Sequence, residues 1–78
     1  MSERSREVTA SVSEWVINDG DYYEHARMLR HAPDVLGGWL TLALKMAKRG
    51  SAAWYVAQDL APADYERIDW ASIAQDLD

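Results

Sequence analysis

The chain has 78 residues, a formal net charge of −5, four Trp, four Tyr, no Phe and no Cys. A chain of this length makes one domain that buries only about 60% of its unfolded surface, which leaves a thin margin of stability. The lack of Cys excludes disulfide staples and thiolate metal sites, so stability must come from packing, with the Trp and Tyr rings supplying large buried areas.

Residues 1–5 are polar and are expected to fray. The first helix is predicted from about Arg6 to Asn18, because Val8, Val12, Trp15 and Val16 draw one apolar stripe while Ser11, Ser13 and Glu14 face away. Asn18-Asp19-Gly20 is expected to stop it, with Gly20 in the left-handed cap conformation. Asp21, followed three residues later by Glu24, resembles a capping box that opens a second helix. Tyr22, Ala26 and Leu29 share a face of that helix, Tyr23 lies beside them, and Pro33 ends the segment.

Val35 to Arg49 is the most apolar stretch. Asp34, Gly38, Thr41, Lys45 and Lys48 recur at steps of four, three, four and three and leave one narrow polar seam. A helix so apolar must be covered on several sides, so it is predicted to be the buried centre of the fold. Asp34 is expected to cap it, Lys48 and Arg49 to suit its C-terminal dipole, and Gly50 to stand just past its end. Ser51 caps a predicted helix over Ala52–Leu60, with Ala53, Val56, Ala57 and Leu60 inward. Pro62–Arg67 reads as one short helical turn, and Asp69 caps a last helix over Trp70–Leu77 with Trp70, Ile73, Ala74 and Leu77 inward. No segment alternates as a strand. The predicted fold is all-α: a single domain over residues 1–78, with four main helices and a short helical turn around a buried central helix at 35–49.

Two stretches carry a family resemblance. Thr9, Val12, Trp15, Val16, Asn18, Asp19 and Tyr23 are similar to a T-W-x-V-x-x-W-[IV]-x-N-D-x-x-x-Y pattern, with Ala10 standing where that pattern has its first Trp. Asp59, Leu60, Ile68, Asp69, Trp70, Ile73 and Ala74 are similar to a closing D-L-x(7)-[VI]-[ND]-W-x-x-I-A. Together they resemble a family of small uncharacterised proteins encoded by phages and conjugative plasmids. The resemblance implies a mobile-element origin and brings no catalytic residues with it.

The charge is unevenly placed along the chain. Residues 21–50 carry an excess of bases (Arg27, Arg30, Lys45, Lys48, Arg49), whereas residues 51–78 hold six acids against Arg67 alone. The acidic set Asp59, Asp64, Glu66, Asp69, Asp76 and Asp78 would repel a phosphate backbone. Its ordinary role is a solvated, solubilising surface in which two acids act as caps. Its sharper role is an anionic patch that pairs with the Arg and Lys of another protein. Trp54, Tyr55 and Tyr65 are the candidate aromatic anchors beside it, although spacing places most rings in the core. The basic group is expected either at helix ends and along the polar seam or, alternatively, against the acids of a second copy.

Catalytic and metal constellations are missing. His25 and His31 lie six apart and do not share a helical face, and Asp21 with His25 offers two ligands at most, too few for zinc. There is no Cys nucleophile, no G-x-S-x-G and no phosphate loop. Gly37-Gly38 is expected to permit close helix packing. A helix-turn-helix around Pro62 is disfavoured, because its reading element would present Asp64, Glu66 and Asp69 to phosphate. The chain is therefore expected to be no enzyme and to need no cofactor or metal.

There is no apolar run of signal-peptide kind in residues 1–20 and nothing near the roughly 18 apolar residues of a membrane span, so the host-cell cytoplasm is the expected location. The expected function is that of a mobile-element accessory protein acting by stoichiometric protein binding. It would inhibit a host nucleic-acid-targeting defence complex, in the anti-CRISPR or anti-restriction manner, by occupying a basic surface. The alternative is a small regulatory DNA-binding or adaptor protein, as a homodimer using the basic middle third.

Overall fold

The computed structural model describes residues 2–78. Among them lie five α-helices and one 3-10 helix, with no strand. In order these are α1 (Glu3–Asn18), α2 (Gly20–Met28), α3 (Pro33–Lys45), α4 (Ala52–Gln58), the 3-10 helix Pro62–Arg67 and α5 (Trp70–Asp76). The architecture is the all-α bundle that the periodicity predicts.

Helix α1 starts at Glu3 rather than Arg6 because Ser2 caps it: the Ser2 hydroxyl accepts the Ser5 N–H at 3.1 Å. Residues 3–5, expected to fray, are therefore helical, and their side chains reach across the fold. Arg4 bonds Asp64, and the Ser5 hydroxyl donates to the carbonyl of Arg67. Met1 lies outside the described residues. Val8, Val12, Trp15 and Val16 are buried as one stripe, as their spacing requires. Ser13, expected to face away, is buried instead. Its hydroxyl finds a partner by donating to Asp76 of α5 at 3.0 Å.

The break between α1 and α2 is made by Asp19, not by Gly20 or Asp21. Asp19 is extended, and its carboxylate accepts from the Asp21 N–H and from Trp15 Nε1, both at 3.1 Å. That carboxylate caps α2, and Gly20 is simply its first residue. Among the described residues only Gly50 has a positive φ, +87°, where the chain turns from α3 towards α4.

Helix α3 differs from expectation at both ends and on one face. Its cap is Ala32 and its first residue is Pro33, so Asp34 sits in the first turn rather than capping. It ends at Lys45, and Lys48 and Arg49 belong to the connection. Leu36, Leu40 and Leu44 are fully buried on the inner face. The outer face is open, with Val35 55%, Leu42 56% and Met46 75% exposed. The helix is thus covered on one side only, because its main neighbours are α4 and α5. Helix α1, which packs on α2, α4, the 3-10 helix and α5, is the element on which the fold assembles.

The glycine pair of α3 divides in role. A Cβ on Gly37 would lie 2.6 Å from Trp70 Cδ1, so Gly37 is what lets α5 approach. A Cβ on Gly38 would meet nothing within 4 Å. Glycine inside a helix costs about 1 kcal/mol relative to Ala, and at Gly38 no packing within the chain offsets that cost.

The remaining elements follow their signals closely. Ser51 caps α4 by accepting the Trp54 N–H at 3.2 Å, Pro62 opens the 3-10 helix, and Asp69 caps α5 by accepting the Ser72 N–H at 3.1 Å. Ile68, Ile73, Ala74 and Leu77 close the core from this end. Among the described residues no helix is long and apolar enough to cross a membrane.

Candidate interaction surface

The six acids offered as a candidate anionic patch separate into different environments. Asp64 leaves the surface altogether, being 1% exposed. Its carboxylate accepts from Arg4 Nε at 3.2 Å, Arg4 Nη2 at 2.7 Å, Arg67 Nη1 at 2.8 Å and the Ala61 N–H at 2.8 Å. The forked pairing with Arg4, then the Ala61 N–H and Arg67, hold its carboxyl far below the usual carboxylate range, and burial opposes them without prevailing. An acid so enclosed is unavailable to a partner; it fastens the first turn of α1 to the 3-10 helix. Asp69 is occupied as a cap, and its own N–H donates to the Thr9 hydroxyl oxygen at 2.9 Å. Asp76 accepts from Ser13, and Asp78 pairs with Arg30 at 3.2 Å. The Asp59 carboxylate and Glu66 make no ion pair among the described residues; Asp59 gives only its carbonyl to Arg4.

A different acidic surface forms where α1 and α4 run side by side. Glu7, Ser11, Glu14 and Asn18 follow one another at steps of four, three and four along α1 and so share a face. Across from them stand Ala52, Val56, Asp59 and Leu60. Two cavities of about 540 and 340 Å³ lie along this seam and share Ser11 as a wall. Glu14 and Asp19 line the larger, which has no Lys or Arg in its wall; Glu7 and Asp59 line the smaller. The smaller contains one cation, Arg4, whose guanidinium is committed to Asp64 and lies 3.4 Å from Glu7. The seam is thus lined by four carboxylates over an apolar floor of Trp15, Val56 and Leu60; Asp19 is held as the α2 cap and Glu7 lies beside Arg4, while Glu14 and Asp59 make no ion pair among the described residues. The sequence hinted at it through the spacing of Glu7, Glu14 and Asn18, but the contribution of Asp59 depends on where α4 docks.

The aromatic candidates also separate. Tyr55 is 62% exposed on α4, one turn before the C-cap Asp59, and lines neither cavity. Trp54 is half-buried and meets the Tyr55 ring edge-on at 5.0 Å. Tyr65 is half-buried beneath Lys45, whose Nζ is 5.1 Å from the ring centroid, and burial raises its phenol. A ladder of rings, Trp15–Tyr22–Trp39–His25, joins α1, α2 and α3 at centroid distances of 5.0, 5.7 and 4.4 Å. His25 is therefore placed by stacking, and among the described residues no group of three His, Cys, Asp or Glu side chains is arranged to hold a metal ion.

The basic group is dispersed too. Arg30 bonds Asp78 and the carbonyl of Arg27, and Lys45 lies over Tyr65, while Lys48 and Arg49 stand exposed in the α3–α4 connection.

No family model matches the chain, and neither a curated protein nor a solved structure does.

Proposed function

We propose that this protein acts by stoichiometric binding, seating an Arg- or Lys-bearing surface of another protein in the groove between α1 and α4. The carrying observation is that Glu14 and Asp59, unpaired among the described residues, line two adjoining cavities of the α1–α4 seam together with Glu7, and that the one cation lining them is already committed to Asp64. Cationic side chains entering it form charge-assisted hydrogen bonds with those carboxylates, and their aliphatic stems lie on Val56 and Leu60. The exposed Tyr55, one turn from Asp59, supplies an aromatic anchor for the same partner.

A surface that holds phosphates is rich in such cations, so a nucleic-acid-handling complex is the partner class. The resemblance to phage and plasmid proteins supports a host defence nuclease, met in the host cytoplasm and blocked by occupation rather than by catalysis. This reading moves the binding residues from the C-terminal acids to the α1–α4 seam.

Affinity capture from host lysate tests it, comparing the wild type with a Glu14→Lys/Asp59→Lys variant. Both positions are exposed, so the fold should survive the change. The wild type should recover a nucleic-acid-binding protein in a salt-sensitive manner, and the variant should recover at least about tenfold less. Equal recovery by both refutes the reading. So does a salt-sensitive gel shift of duplex DNA by the purified protein, which would favour the DNA-binding alternative.

A further inference from the structure

The outer face of α3 has no partner within the chain, and its make-up specifies one. Val35, Gly38 and Leu42 stand at i, i+3 and i+7 along the middle of that face, with Met46 one turn further. Three are large apolar residues more than half exposed, and the fourth is a helix-weakening glycine that nothing in the chain explains. On one flank of the stripe Asp34 lies near the start of the helix and Lys45 at its end. On the other flank a shallow groove of about 270 Å³ runs between Tyr22, Trp39, Leu42, Ala43 and Met46.

We infer that α3 pairs with α3 of a second copy of this chain, antiparallel, about a two-fold axis near Leu40. A two-fold axis lying in the interface and perpendicular to α3 keeps each flank on its own side while reversing the direction of the helix. Residues whose numbers sum to about 80 then stand level across the interface. Leu42 of each copy is level with Gly38 of the other, where the missing side chain makes a hole for it. Val35 of each copy is level with Lys45 and Met46 of the other and reaches the end of the groove beside Met46.

The charges select this arrangement over a parallel one. Asp34 makes no ion pair among the described residues, and antiparallel pairing sets it opposite Lys45 of the second copy, twice by symmetry. A parallel pair, whose two-fold runs along the helices, swaps the flanks: each Asp34 then faces the Trp39 and Ala43 side of the other copy and finds no cation there. The antiparallel arrangement also opposes the two helix dipoles favourably. A 13-residue helix is about 20 Å long. Its outer face is smaller than the roughly 800 Å² per partner of a standard interface. The dimer is therefore expected to be concentration-dependent rather than obligate. None of the α3 residues lines the α1–α4 groove, so the inference stands or falls independently of the proposed function, and a dimer would carry two such grooves.

Sedimentation velocity from about 1 μM to about 1 mM tests it, with affinity read as a dissociation constant. The wild type should move from the 8.8 kDa of one chain to twice that mass. Leu42→Glu, at a position 56% exposed, should keep the helical circular-dichroism spectrum and weaken dimerisation at least about tenfold. Gly38→Ala should raise the melting temperature of the dilute monomer while weakening the dimer, a pair of opposite effects that a role confined to one chain does not produce. Asp34→Lys should weaken association, and Asp34→Lys/Lys45→Glu should restore it. A chain that stays monomeric throughout overturns the inference and assigns the face to a different protein. A dimer indifferent to Leu42→Glu, or a charge swap without rescue, overturns the antiparallel pairing.

Discussion

Asp64 carries its charge inside the protein because four hydrogen bonds converge on it, three from arginines and one from the Ala61 N–H. A carboxyl held below its ordinary value favours the folded state fully above the unfolded value of about 4, and the contribution is lost as pH falls from there towards the folded value. The wild-type melting temperature should therefore fall more steeply below about pH 4 than that of Asp64→Asn, which keeps the shape and lacks the titrating charge. Thermal melts of both proteins across that range check this, and parallel curves would contradict it. In the sequence Asp64 was indistinguishable from its acidic neighbours, because its main partner, Arg4, lies 60 residues away. The burial of Ser13 is hidden in the sequence for the same reason, since only the docking of α5 brings Asp76 to it. Local chemistry was legible by contrast: Ser51 and Asp69 cap the helices that follow them, whereas the partner that explains Gly37, Trp70, comes from a distant helix.

At the scale of the element, α3 shows how far periodicity reaches. The apolar run located the helix and its buried Leu36, Leu40 and Leu44. It did not show that the run holds two faces, because inward and unpartnered apolar residues look alike in a sequence. A denaturation comparison of two leucines on this helix separates them. Leu40→Ala should cost about 2–5 kcal/mol, since the side chain is fully buried. Leu42→Ala should stay within about 0.5 kcal/mol when measured on dilute protein. Equal losses would mean that the outer face is covered within one chain. Lys48, Arg49 and Gly50 suit a helix end, yet α3 stops at Lys45 and the left-handed Gly50 serves the turn beyond.

For the whole molecule, assembly on α1 decides which charges are free. Because α1 contacts α2, α4, the 3-10 helix and α5, its polar flank becomes one bank of a groove whose other bank is α4. The helical class was legible from the spacing of apolar residues and caps. The location of the acidic surface was not, because it depends on which helices become neighbours. Several C-terminal acids that dominate the charge count are turned to internal work as cap, ion pair or hydrogen-bond acceptor. Glu7, Glu14 and Asp59, drawn from separate parts of the chain, line the α1–α4 seam instead, beside the capping Asp19.

Amide chemical-shift mapping on isotope-labelled protein tests that feature most directly, using an arginine-rich peptide and, separately, a short DNA duplex. The peptide should shift the amides around Glu7, Ser11, Glu14, Asp19 and Asp59 together, and the duplex should shift none. Peptide shifts confined to Asp76 and Asp78, or duplex shifts around Arg27, Lys48 and Arg49, would contradict the account.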